Sequence, residues 1–399
     1  MWERDINIHA VREIRVKTTA FLGVGAIEKI DFICAQLVKM GIQKVVTVTG
    51  RGAYKKTGAW SHVEKAYQKH GIEYVLYDKV TPNPEVNQVD EATAMARELG
   101  AGAVVAIGGG SPIDAGKAVA VLLKYPDKDA RALANLTFPI EDAVPIIAIN
   151  LTHGTGTEVD RFSVISIPEN DYKPAIAADA MYPLYAIDDP ALMTGLAPDQ
   201  TTFVSVDALN HIVEACSTVM ASPFSILLAQ ETVRLISIYL PRVQKDPNDL
   251  EARYFLTYAS LIAGTSFDNG LLHLTHALEH PLSGLKHETT HGQGLAILLP
   301  SVIKHIYDAK KHTLFDVLKP ILPNLEFETA TADDVSKAVR RWLHSVNIKE
   351  SLKDLGFGEE HLDDLTRLAF ETPGLKGLLS IAPIEATPEV VRQIFAESL

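Results

Sequence analysis

The chain has 399 residues, enough for two domains that each bury their own core. A hydrophobic content of 47% with 22% charged residues is ordinary for a soluble enzyme, and a net charge of −13 argues against nucleic acid or an anionic membrane as a main partner. Two cysteines, Cys34 and Cys216, are too few for a disulfide framework and fit a reducing cytoplasm; the opening Met1–Asp5 lacks signal-peptide character, and no apolar run reaches the length of a membrane span.

In chain order, a polar opening precedes Arg15–Phe21, which alternates enough for an edge strand. A glycine turn follows at Phe21–Gly25, then helical spacing over Ile27–Met40. From Lys44 a rhythm begins. Lys44–Thr49, Glu73–Tyr77, Ala103–Ile107, Pro145–Asn150 and Tyr185–Ile187 are short apolar runs that predict strands. Trp60–His70, Glu85–Leu99 and Ser111–Leu123 are amphipathic and predict the helices between them. Strands alternating with helices imply a parallel sheet covered on both faces, with ligands bound beyond the carboxyl ends of the strands.

Two glycine-rich loops fall at those ends. Ala103–Ile107 runs into Gly108-Gly109-Gly110-Ser111-Pro112-Ile113-Asp114. Glycines let backbone approach a pyrophosphate, and the following helix offers free amides and a partial positive charge. Ser111 is placed to be the N-cap, Pro112 to take the first helical position and Asp114 to complete a capping box. The plainer account is a tight strand-to-helix turn. The second loop, Thr152-His153-Gly154-Thr155-Gly156-Thr157-Glu158, carries hydroxyls able to bind ribose or phosphate, although as a polar loop it would be unremarkable. Together the two loops suggest one dinucleotide lying across the sheet.

Beyond about Leu196 the pattern is helical, with candidates at Thr201–Met220, Phe224–Leu240, Leu250–Ser266, Leu271–Leu282, Gly294–Ala309, Thr331–Val346, His361–Phe370 and Pro388–Glu397. The expected fold is therefore an α/β domain over residues 1–196, a Rossmann-like parallel sheet, followed by an all-α domain over 197–399. Five of the 14 histidines lie between His273 and His291. His276 and His280 are four apart, as are Asp207 and His211, so each pair shares one helix face. Asp207, His211, His276 and His291 together make a set of three nitrogens and one oxygen suited to Fe²⁺ or Zn²⁺, catalytic if a position stays open. Histidine pairs at helical spacing are more often surface or hydrogen-bonded features, so neither pair suffices alone. His287-Glu288-Thr289-Thr290-His291 also has the His-Glu-x-x-His spacing of zinc proteases. That arrangement needs one continuous helix, and Gly284, Gly292 and Gly294 with two threonines speak against it.

Taken together, Gly108–Asp114, Gly154–Glu158, Asp207–Glu214 and His276–Leu282 resemble the iron-containing (group III) alcohol dehydrogenases, collinearly from about residue 20 to 305. The resemblance implies a dinucleotide-binding domain, a helical domain of the dehydroquinate synthase-like type and a cleft between them. It implies a divalent metal, usually Fe²⁺ and in some relatives Zn²⁺ or another ion, on Asp207, His211, His276 and His291. It places His280 near substrate as the candidate catalytic residue. It implies cofactor contacts from Gly50, Arg51, Asn83, Gly108, Gly109, Gly110, Ser111, Asp114, Thr152, His153, Thr155, Thr157, Lys173 and Leu192. A cytoplasmic homodimer or higher homo-oligomer acting on a small alcohol or aldehyde is expected.

This chain departs from the family pattern in four places. The span from His276 to His291 is one residue longer than usual, Thr290 replaces a common proline, and His287 is a rival fourth ligand. His153 stands where a second threonine is usual. After Lys44–Thr49, where many relatives hold the adenosine ribose with an aspartate, the chain reads Gly50-Arg51. Loss of the carboxylate and gain of a cation favour NADP(H) over NAD(H). The expected activity is reversible hydride transfer between a primary alcohol or diol and NADP(H). A polyol dehydrogenase or dehydroquinate synthase-like enzyme, or a non-catalytic nucleotide- and metal-binding protein, are the alternatives.

Overall fold

The computed structural model describes residues 2–6 and 12–399; part of the polar opening segment, residues 7–11, lies with Met1 outside the described residues. The strands are β1 (Thr19–Leu22), β2 (Lys44–Gly50), β3 (Glu73–Val80), β4 (Ala103–Gly108), β5 (Ile146–Asn150), β6 (Phe162–Val164), β7 (Ala175–Ala177) and β8 (Tyr185–Asp188). Six of them form one sheet in the order β1-β8-β5-β4-β2-β3, and every pairing in it is parallel. Among and after the strands come α1 (Lys29–Lys39), α2 (Ala53–Lys56), α3 (Ala59–His70), α4 (Val86–Leu99), α5 (Gly110–Leu122) and α6 (Ala130–Ala134). The remaining helices are α7 (Pro198–Ala215), α8 (Pro223–Lys245), α9 (Leu250–Gly270), α10 (Leu274–Leu285), α11 (His291–Ile306), α12 (Lys311–Leu318), α13 (Ala332–Ser345), α14 (Leu362–Glu371), α15 (Leu375–Ser380) and α16 (Pro388–Glu397). None of the described helices is long and apolar enough to cross a membrane.

The chain packs as two compact units, each discontinuous in sequence. One comprises Val16–Leu196 and Pro247–Leu261; the other comprises Met1–Arg15, Ala197–Asp246 and Ile262–Leu399. Side chains account for the exchange of segments relative to a single division after residue 196. The first half of α9 is tied to the sheet unit by Arg253 Nη1 and His153 Nε2 at 2.8 Å. The N-terminal segment joins the helical unit through the Arg15 amide, which donates to Asn269 Oδ1 at 2.6 Å.

In the sheet unit, side chains alternate between two apolar layers, as the pleat dictates. Val46, Val48 and Val104 pack with Val89, Ala92 and Val119 from α4 and α5. Val45, Val105, Ile107, Ile147 and Ile149 pack on the opposite face with Ile33 and Leu37 from α1 and Val63 and Tyr67 from α3. The chain order reverses between β2 and β4, so the carboxyl-end crevice there is the expected ligand position for such a sheet. Gly50, Gly108, Asn150 and Asp188 end their strands along this edge.

Several local expectations are corrected. The first strand begins only at Thr19, and α7 stops at Ala215 rather than Met220. The antiparallel β6–β7 hairpin is absent from the expected elements, its strands being three residues each and too short for a visible period. Ser111 is not the N-cap: α5 starts at Gly110 with Gly109 in the cap position and no side-chain cap. Asp114 instead accepts from Thr157 Oγ1 at 2.6 Å and from the Val164 amide at 2.9 Å, holding the segment before and into β6 against α5.

Beneath that segment Lys117 is fully buried. Its ammonium donates to Asp160 Oδ1 at 2.7 Å, Thr157 Oγ1 at 2.8 Å, and the Asp160 and Phe162 carbonyls at 3.0 and 2.7 Å. Removing one member of such a pair strands the other's charge in low dielectric, at a cost of about 3–5 kcal/mol. Lys117→Met should therefore lower the urea midpoint of unfolding sharply, and Lys117→Met with Asp160→Leu should recover much of it. Equal midpoints for Lys117→Met and the parent would refute a structural role for the pair.

Candidate metal centre

Asp207 and His211 lie one turn apart on α7, His276 and His280 one turn apart on α10, and His291 opens α11. The position of α11 is set by backbone. A Cβ on Gly292 would stand 2.2 Å from the Phe203 carbonyl oxygen, so only glycine lets α11 start this close to α7. Asp207 Oδ1 is the hub. It lies 3.5 Å from His211 Nε2, 3.7 Å from His276 Nε2 and 3.9 Å from His291 Nε2. Two donors sharing one ion at about 2.1 Å each stand roughly 3–3.5 Å apart, so the spacing is slightly open but of the right scale. Asp207 Oδ1 and His276 Nε2 are buried with no hydrogen-bond partner, a costly arrangement that an ion would relieve. Their chemistry, one carboxylate and three imidazoles, fits a divalent transition metal.

The far sides of two imidazoles are held by carboxylates. His276 Nδ1 is hydrogen-bonded to Glu214 Oε2, and His291 Nδ1 to Glu279 Oε2. A carboxylate on Nδ1 selects the tautomer that leaves Nε2 to a metal. Glu214 does more: its Oε1 accepts from the amides of His273, Thr275 and His276 at 3.0, 2.8 and 3.2 Å. It thereby caps α10, which has no side-chain cap of its own. Ser283 Oγ donates to Glu279 Oε1. His211 stacks between Phe267 and His276, with ring centroids 4.4 and 4.7 Å away.

Electrostatics follow this packing. Burial pushes the Asp207 carboxyl up, but the neighbouring His211, His276 and His291 outweigh it and hold it at about 2. Burial also depresses His276, yet Glu214 and Asp207 prevail and raise it to about 9. Burial raises Glu214, and His276 overrides that to bring it to about 2. Burial lowers His211 to about 4 against the pull of Asp207. Without an ion, His276 carries the compensating positive charge; a bound ion takes over that task.

His280 is buried, and its ring centroid is 5.8 Å from that of His291. It groups with Glu279 and His291 rather than with Asp207. His291 is the open side of the cluster, its side chain 28% exposed against 4% for Asp207. Neither His211 nor His287 belongs to a group whose donor atoms all lie within 4.8 Å of one another, but His211 Nε2 comes within 3.5 Å of Asp207 Oδ1 whereas His287 sits in the turn before α11. Because α11 begins at His291, the His-Glu-x-x-His stretch is not helical and a protease site is ruled out. His273, the N-cap of α10, has its Nε2 2.9 Å from Ser217 Oγ and remains a neighbour of the cluster.

In the sheet unit, the two loops lie against each other. A Cβ on Gly109 would meet Thr152 Cγ2 at 2.8 Å, and one on Gly110 would meet Thr155 Cγ2 at 2.8 Å. Loop packing thus already requires these glycines. Thr152 is oriented by Asn150 Oδ1, which accepts from its amide at 3.1 Å. Thr157 and Asp114 bond to each other and to the Lys117 and β6 network, so these two expected cofactor residues brace the loop. Gly50 ends β2 at a register shift against β3, and Arg51 after it is exposed. Asn83 holds a left-handed turn at φ 52°. Lys173 is buried, and its charge opposes the burial-driven rise of the Asp114 pKa. Leu192 lies in the apolar layer with Ile149 and Ile187. Lys117, Glu214, Glu279 and Arg253 are functional or bracing residues that sequence reasoning does not find. The one usable signal is an acidic residue seven places, two helical turns, after Asp207 on the same face of the helix.

A six-stranded parallel-sheet unit with a helical unit carrying an Asp/His₃ cluster is the architecture shared with solved alcohol dehydrogenases of the iron-containing class. The description "Iron-containing alcohol dehydrogenase" matches residues 17–190, and "Fe-containing alcohol dehydrogenase family, C-terminal" matches residues 201–399. The chain is 56% identical over 398 residues, all of both chains, to the long-chain primary alcohol dehydrogenase AdhA of Thermoanaerobacter ethanolicus. It is 31% identical to a 1,3-propanediol dehydrogenase of Klebsiella pneumoniae, over 89% of this chain and 92% of that one. Among solved structures, an NADH-dependent butanol dehydrogenase A of Thermotoga maritima superposes with TM-score 0.88 at 30% identity, covering 97% and 98% of the two chains. The archaeal Red Sea brine pool alcohol dehydrogenase ADH/D1 gives TM-score 0.91 at 27% identity, covering 98% and 100%. The chain belongs to the iron-containing alcohol dehydrogenase family, whose members are NAD(P)-dependent alcohol dehydrogenases.

Glu214→Gln and Glu279→Gln should each weaken metal binding about 10–100-fold, measured by chelator competition. Parent-like affinity in both variants would show that the outer carboxylates do not tune the site.

Proposed function

We propose that this enzyme interconverts primary alcohols and aldehydes, using NADP(H) in preference to NAD(H), with Fe²⁺ or a similar divalent ion on Asp207, His211, His276 and His291. One observation carries the reading: three imidazole Nε2 atoms converge on one buried carboxylate oxygen, and outer carboxylates hold two of those rings from behind. When bound, the ion supplies Lewis acidity toward the alcohol or carbonyl oxygen, and the nicotinamide supplies hydride chemistry. Glu214 and Glu279 keep the Nε2 atoms of His276 and His291 presented for coordination. His280, on the same helix as His276 and grouped with Glu279 and His291 rather than with Asp207, takes the hydroxyl proton during oxidation and returns it during reduction.

The loops Gly108–Ser111 and Thr152–Thr157 hold the dinucleotide, with the α5 N-terminus facing its diphosphate. Support for NADP(H) comes from the end of β2. Gly50 brings no carboxylate to repel a 2′-phosphate, and Arg51 is exposed and able to reach one.

The test is oxidation of NADPH and NADH with butanal as acceptor, using protein loaded with Fe²⁺ without oxygen. Turnover with a higher kcat/KM for NADPH is expected, and Arg51→Ala should shrink that ratio. A clear preference for NADH would overturn the cofactor assignment. His280→Ala should keep its metal and lose about 10²-fold in kcat, the scale of general acid–base catalysis. Metal loss on that substitution would make His280 a ligand instead.

A further inference from the structure

Arg253 heads the large fully buried side chains of the described residues, at 1% exposure. Burial lowers its pKa only to about 10, so it is cationic at neutral pH. A buried cation is retained only where hydrogen bonds compensate it. From the first turn of α9, its Nε donates to the Pro247 carbonyl at 3.1 Å and its Nη1 to His153 Nε2 at 2.8 Å. A guanidinium only donates, so His153 Nε2 must be the acceptor and the imidazole is neutral with its proton on Nδ1. Burial and the adjacent Arg253 charge together hold His153 at about 3, in agreement with that geometry.

His153 sits in the second glycine loop, between Thr152 and Gly154. Thr152 and Thr155 from this loop fill the space that Cβ atoms on Gly109 and Gly110 would need. The guanidinium therefore fixes one loop through His153, and that loop sets the placement of the other. The sequence gives His153 the place of a direct cofactor contact; its Nε2 faces Arg253 instead.

We infer that Arg253 is a positioning residue for the nicotinamide dinucleotide, holding the Thr152–Thr157 loop in register through a neutral His153. This rests on the proposed assignment of the two glycine loops to the cofactor. The rival role is purely structural, fastening the start of α9 to the sheet unit; thermal stability would report that role alone.

The experiment measures NADPH dissociation constants by fluorescence titration of the metal-loaded enzyme, with melting temperature and metal content alongside. Arg253→Met and His153→Ala should each weaken NADPH binding about tenfold, the scale of a hydrogen bond to a charged group. The double variant should be no weaker than the poorer single one, since both act through one contact. His153→Gln, which keeps an acceptor in place, should recover most of the affinity lost in His153→Ala. If Arg253→Met does not fold, Arg253→Lys replaces it, with charge kept but the planar fork lost, and the same weakening is expected. Lower melting temperature with unchanged NADPH affinity, or strictly additive losses in the double variant, would overturn the inference. Thr155→Val separates the two levels. If it also weakens NADPH binding while the Arg253 variants do not, only the positioning role fails. If Thr155→Val leaves binding unchanged, the loop assignment falls and the inference falls with it.

Discussion

The buried side chain of Glu214 joins the start of α10 to the histidine cluster. One of its oxygens accepts from the amides of His273, Thr275 and His276 at the start of α10, and the other holds His276 Nδ1. Helix amides without partners are costly when buried, and a carboxylate is the natural complement to the positive end of a helix. The same contact that lets α10 begin inside the protein thus aims His276 at Asp207. Stability of the helical unit and geometry of the metal centre are not separate achievements here. The cost is a fully buried anion, which makes sense only beside the positive charge that His276 or an ion supplies.

The parallel sheet is legible in the sequence because its chemistry is local. Strands covered on both faces read as nearly continuous apolar runs, and Ala103–Ile107 and most of Pro145–Asn150 announce that without reference to anything distant. Asp207 with His211, and His276 with His280, are legible for the same reason, since four-residue spacing is a local fact. What stays hidden depends on partners far away in the chain. Glu214 caps a helix whose N-cap, His273, lies 59 positions further along the chain, and nothing near Glu214 names that partner. Arg253 and His153 are 100 residues apart.

The first glycine loop teaches a different lesson. Three consecutive glycines invite a phosphate-binding explanation, and the capping-box spacing after them predicts Ser111 as a cap. In the fold, Gly109 takes the cap position, and Thr152 and Thr155 occupy the space where side chains on Gly109 and Gly110 would go. Loop-to-loop packing and ligand access demand the same residue, so sequence cannot apportion the two. Asp114 and Thr157 show a related ambiguity: polar residues beside an expected ligand site turn inward, Thr157 to accept from Lys117 and Asp114 to anchor β6.

The near-contact of Gly292 with the Phe203 carbonyl has an implication for how such a centre can diverge. The separation between the helix bearing Asp207 and the one opening with His291 is a backbone-on-backbone stop, with no side chain to trim or enlarge. Change at this cluster that keeps the frame is therefore left to the groups behind the imidazoles, such as Ser283 beside Glu279, where a lost hydroxyl would alter the donor strength of His291.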